Sequence, residues 1–163
     1  MPPYEPTEDR ANVQTHLGVN MVVEAGAGTG KTTLLITRIC LAVLAQGIAV
    51  EKIVALTFTE KAAAEIKNRL VTVLHQLVQL LQHATQEELP ALRHSKRLLQ
   101  LLREKFVLAD DVILSRAQTA LARLDRASVG TIHSFCADIL KTFPLEAGLS
   151  PHSEIDPGHK AAR

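Results

Sequence analysis

The sequence predicts an α/β fold, a parallel sheet with crossover helices. Short β-branched runs end in a turn and pass straight into a helical pattern at three places, near residues 25, 58 and 132. That alternation is the signature of parallel strands joined by helices. A long amphipathic stretch separates the second and third of these places, which adds a helical insertion to the sheet. In such sheets the loops at the carboxyl ends of the strands line one crevice, so the three turns are expected to face the same place.

The elements follow in order. Residues 1–8 carry three prolines and read as a loose arm. Residues 9–17 form a short helix ending at Gly18. NMVVEA, 20–25, reads as a buried strand. A helix follows with Leu35, Ile39, Ala42 and Val43 on one face, ending near Gly47. KIVALT, 52–57, is the second strand. From Glu60 a strong helical period runs through Ala62, Ile66, Leu70, Leu74, Leu77 and Leu81. At least two more amphipathic helices occupy 85–126. Thr85 and Glu88 are spaced as a capping box. Asp110 is the expected N-cap of a helix carrying Ile113, Ala117, Leu121 and Leu124. SVGTI, 128–132, is the third strand, and it enters a helix near Ser134 that Pro144 stops. SEID, 153–156, is a candidate further strand.

The totals exclude several classes. The net charge of +1 argues against a dedicated polybasic nucleic-acid binder, though not against a groove touching a few phosphates. No apolar run reaches the length of a membrane span. The polar start MPPYEPTEDR has no secretory pattern, so a cytoplasmic protein is expected. Cys40 and Cys136 sit in apolar helical stretches and read as reduced core thiols.

AGAGTGKT, Ala25 to Thr32, fits the phosphate-binding loop with alanine in the first glycine position. Gly26, Gly28 and Gly30 allow a tight turn that points several N–H groups at one anion, with Ala27 and Thr29 between them. The helix beginning at Lys31 adds its positive end. Lys31 is placed to reach the β- and γ-phosphates, and the Thr32 hydroxyl to hold Mg²⁺. Thr33 completes the loop. These residues point to ATP with Mg²⁺. Hydrolysis also needs an acidic strand end. No apolar strand ends in an Asp-Glu pair: Asp110-Asp111 precedes a helix, and Glu87-Glu88 reads as a helix start. The expectation is an incomplete engine, the first piece of a longer one.

Three segments together resemble the superfamily 1 DNA helicases of the UvrD/RecB/AddA type, in that family's order. AGAGTGKTT resembles motif I, TFTEKAAAEIKNRL (57–70) motif Ia, and VGTIHSFC (129–136) motif Ic. The resemblance implies a P-loop NTPase fold, a RecA-like first motor domain spanning 1–163 that binds ATP beside single-stranded DNA. It implies that Thr57, Phe58, Thr59 and Lys61 contact the strand, with Phe58 against a base. Thr131, His133, Ser134 and Phe135 would line the same track. Bases stack on a ring whatever their sequence, for about 1–3 kcal/mol each. Each nominee also has a plainer role: Phe58 and Phe135 as core, Thr59 as a helix N-cap, Thr57 as a β-former, His133 in a local hydrogen bond, Lys61 as a solvated lysine. Gln14 is the candidate for the glutamine that reads adenine in the family. The insertion, 71–127, leans towards the RecB/AddA branch. That implies further helicase domains, and a nuclease or partner subunit in a RecBCD/AddAB-like complex. A reading from another class is a small P-loop kinase or nucleotide transferase, with Arg93, Arg97 and Arg103 as lid arginines.

Overall fold

The computed structural model describes residues 8–150 apart from 27 and 84–88. The chain is α/β. Helix α1 spans Glu8–Thr15 and α2 spans Lys31–Leu44. Strand β1, Val54–Thr57, leads into α3, Glu60–Gln82. Helices α4, Arg93–Glu104, and α5, Asp110–Ala122, follow. Strand β2, Ser128–Thr131, enters α6, Ile132–Thr142. The two strands pair in parallel, Val54 opposite Ser128 through Thr57 opposite Thr131. Helices α3, α4 and α5 lie between them in sequence, and α3 packs on both strands. A parallel pair requires such a crossover.

The core is built from α2, α3, α4 and α5. Ile36, Leu41 and Leu44 of α2 meet Leu70 and Leu77 of α3, Leu98 and Leu102 of α4, and Ile113 of α5. The period expected in α3 holds, with Ile66, Leu70, Leu74 and Leu77 buried. In α2 the buried positions wind round the helix, because α1, α3, α4 and α5 all touch it. Leu35, expected on the inner face, is exposed instead. Buried Ser95 of α4 donates a hydrogen bond to Gln76 Oε1 of α3 at 2.7 Å, so the one polar side chain fully inside α4 is satisfied.

Three further expectations are corrected. Residues 20–25 take no strand conformation. The only ladder among the described residues joins β1 and β2, and Val22 is 92% exposed, so this run has no pairing partner to fix it. The N-cap of α5 is Ala109; Asp110 is the first helical residue, and its carboxylate takes two guanidinium N–H groups of Arg103 at 2.8 and 2.7 Å. That contact holds Asp110 below the usual carboxylate range. Cys136 is exposed on α6, while Cys40 is buried as expected, and burial pushes its thiol up to about 12. The capping box at Thr85 and Glu88, the strand at 153–156, and the arm at 1–7 lie outside the described residues.

Candidate nucleotide cleft and strand-facing turns

The loop before α2 turns on two glycines. Gly28 and Gly30 have φ of 75° and 85°, the left-handed region that side chains with a Cβ resist. Gly30 is the N-cap of α2 and brings no side-chain cap, so the first N–H groups of the helix are left to a ligand or solvent. Thr29 Oγ1 closes the loop on the Gly26 carbonyl at 2.8 Å. The Lys31 ammonium folds over the same loop, donating to the Ala25 and Gly26 carbonyls at 2.6 and 2.7 Å. Lys31 and Thr32 open onto a cleft of about 470 Å³, whose walls include Val13, Met21, Thr57 and Glu65. Thr33 carries a carbonyl that accepts from Thr37 Oγ1, an internal bond of α2. Ala27 lies outside the described residues.

Positive-φ glycines, an uncapped helix start and a lysine at its first position are what a polyphosphate needs. A threonine beside that lysine suits Mg²⁺. The residues present therefore fit ATP and Mg²⁺. Among the described residues no cluster of three acidic, histidine or cysteine side chains forms a metal site.

The second turn carries Phe58, which is 89% exposed. The core reading of this ring is thereby excluded, and an exposed phenyl stands at the corner between β1 and α3. Thr59 is the N-cap of α3, its hydroxyl accepting from the Ala62 N–H at 3.1 Å. Lys61 projects from the first turn of α3 into solvent. Thr57 sits in β1 and faces the cleft that holds Lys31 and Thr32.

The third turn lies beside the second, because Thr57 pairs with Thr131. Thr131 is buried and N-caps α6, accepting from the Ser134 N–H at 3.1 Å. Ser134 Oγ in turn donates to the Thr131 carbonyl at 2.9 Å. Thr131 Oγ1 donates to Glu60 Oε1 at 3.0 Å, across from α3. His133 is exposed and Phe135 half-buried, and no residue of α6 is fully buried.

Other nominees lie apart. Gln14 lines a smaller hollow with Thr37, Arg97 and Gln100, outside the Lys31 cleft. Arg93 and Arg97 stand on α4 around a further hollow, and Arg103 is engaged by Asp110. None of the three lines the Lys31 cleft, where the kinase reading needs its arginine lid.

Residue patterns missed Glu60 and Arg38. Arg38 donates to the carbonyls of Val13, His16 and Val19 and so ties α1 to α2. A charged residue on the apolar helix α2 was the available signal, as was an acidic first-turn residue for Glu60.

The family model of the UvrD/REP helicase N-terminal domain matches residues 6–161. Among curated relatives, an ATP-dependent helicase/nuclease subunit from Ligilactobacillus salivarius (strain UCC118) is 30% identical over 91% of this chain. The protein of the same name from Anoxybacillus flavithermus (strain DSM 21510 / WK1) is 31% identical over 88%, and that from Bacillus cytotoxicus 27% over 91%. The chain spans about a tenth of the length of these relatives. With glycine loop, β1 turn and β2 turn in order, and nearly the whole chain matched, the protein belongs to the UvrD/REP helicase N-terminal domain family.

Proposed function

We propose that the chain is the ATP- and single-stranded-DNA-binding part of an ATP-dependent DNA helicase of the RecB/AddA branch, acting in recombination or repair in the cytoplasm. Its fold is read as the P-loop, RecA-like kind, with 1–163 the N-terminal part of the motor domain and 71–127 a helical insertion. One observation carries the reading. The cleft holding Lys31 and Thr32 also holds Thr57, and Thr57 pairs with Thr131, so the phosphate loop and both strand-facing turns meet at one end of the sheet. Lys31 and the α2 N-terminus bind the ATP phosphates, and Thr32 binds Mg²⁺. ATP bound here supplies the phosphoanhydride whose hydrolysis drives movement in the parent protein. Exposed Phe58 offers a face to a base, and the hydroxyls and N–H groups of the two turns suit phosphates without a large net charge.

Exposed apolar residues, among them Leu56, Ile139, Leu140 and Phe143, fit docking of the remaining helicase domains. The names that the relatives carry support a nuclease or partner subunit. The carboxylates that complete an ATPase belong to those other parts, so this chain binds without turning over. The test is fluorescence anisotropy with a labelled single-stranded oligonucleotide over a salt series. Phe58→Ala should weaken binding by about 1–2 kcal/mol without preference for sequence. Lys31→Ala should abolish ATP binding. A folded chain that binds neither ligand overturns the reading.

A further inference from the structure

The second and third turns are joined by a bond that neither turn needs for its own shape. Glu60 opens α3, directly after Phe58 and Thr59. Its Oε1 accepts the hydroxyl hydrogen of Thr131, 71 positions away, at 3.0 Å. Thr131 is buried, and the same hydroxyl caps α6 through the Ser134 N–H. The Ser134 hydroxyl returns to the Thr131 carbonyl. Gly130, just before, leaves the Ser134 hydroxyl its place: a Cβ there would come within 2.6 Å of Ser134 Oγ. One carboxylate thus reaches from the first turn of α3 into the cap of α6.

We infer that Glu60 is a positioning residue that braces the Phe58 turn against the His133 turn. Backbone pairing of Thr57 with Thr131 sets the distance between the strands. It ties no side chain of one helix start to the other. The carboxylate supplies that tie, because it joins the first turn of α3 to the cap of α6. The exposed ring of Phe58 and the exposed imidazole of His133 are then held at a constant separation. An acidic side chain in the first turn also complements the positive end of α3, so the assignment rests on the bond to Thr131 and not on the charge. The consequence for DNA rests on the strand-track reading proposed above; the brace itself does not.

The test compares Glu60→Ala with Glu60→Gln, whose amide oxygen still accepts from Thr131 but carries no charge. Hydrogen–deuterium exchange is read over residues 129–136, on the opposite side of the brace from the substitution. In Glu60→Ala exchange there should quicken by about tenfold, and Glu60→Gln should restore the wild-type rate. Single-stranded oligo-dT should bind Glu60→Ala about fivefold more weakly, while Glu60→Gln binds at least as tightly as wild type. Phe58→Ala should cost less in the Glu60→Ala background than alone. Wild-type exchange in Glu60→Ala overturns the brace. So does Glu60→Gln behaving like Glu60→Ala. If exchange responds as expected but no variant, wild type included, binds oligo-dT, the brace stands and the strand-track reading falls.

Discussion

Replacing Gly130 by alanine tests the packing of the third turn through a change of sign. Gly130 lies in β2 and is not among the positive-φ glycines, so its backbone accepts an alanine. On that count alone Gly130→Ala stabilises by about 0.4–1 kcal/mol, through lost freedom of the unfolded chain. The new methyl, however, meets Ser134 Oγ at 2.6 Å. Ser134 must rotate away and give up its bond to the Thr131 carbonyl, a net contribution of about 0.5–1.5 kcal/mol. Gly130→Ala should therefore lose the gain and destabilise by up to about 1 kcal/mol net. In a Ser134→Ala background no hydroxyl remains to be displaced, and the same change should stabilise by about 0.5 kcal/mol. Urea unfolding followed by circular dichroism at 222 nm measures all four proteins, with equal m-values as the check on the denatured state. Equal cost in both backgrounds would refute the argument, because the clash with Ser134 would then not be the cause.

Other expectations concern the core and the thiols. Leu102 is fully buried between helices, so Leu102→Ala should cost about 2–5 kcal/mol in urea, whereas Leu145→Ala, exposed, should stay within about 0.5. Arg116 donates to the Leu44 and Ala45 carbonyls that end α2, at 2.7 and 3.0 Å. Arg116→Ala should cost about 1–3 kcal/mol, and Arg116→Lys should recover only part, since both bonds leave Nη1 and the lysine side chain ends one atom short of it. Iodoacetamide at pH 8 should label Cys136 in the native chain and Cys40 only after unfolding, as read by mass spectrometry. Cys40 ionises near 9.0 when unfolded and at about 12 when folded. Its contribution is whole below pH 9 and is lost as pH rises towards 12, at up to about 1.4 kcal/mol per unit. Cys40→Ala should remove that part of the alkaline slope.

The helices were legible because their signal is local. The period of α3 and the turn glycines of the loop before α2 each lie within a few residues of the effect they cause. Thr59 showed both a capping and a binding role in sequence, and the cap to Ala62 is present. Asp110 had equal claim to be a cap, yet Arg103, outside any helix-start pattern, captured it. The run at 20–25 has strand composition, but a strand exists only through its neighbour, and composition does not report neighbours. Phe58 posed a question in sequence that only exposure answered. Glu60 was invisible for the same reason as the unpaired run: its partner lies 71 positions away.

The parallel pairing of β1 with β2 also sets a timetable. The glycine loop and α2 are contiguous, so they can assemble within their own stretch of chain. The pair Thr57 and Thr131 is separated by α3, α4 and α5. Closing so long a loop costs entropy before any ladder bond repays it, unless the intervening helices have first folded back on one another. Strand pairing is therefore a late event in folding. A polypeptide emerging during synthesis owns its glycine loop long before it owns two adjacent turns.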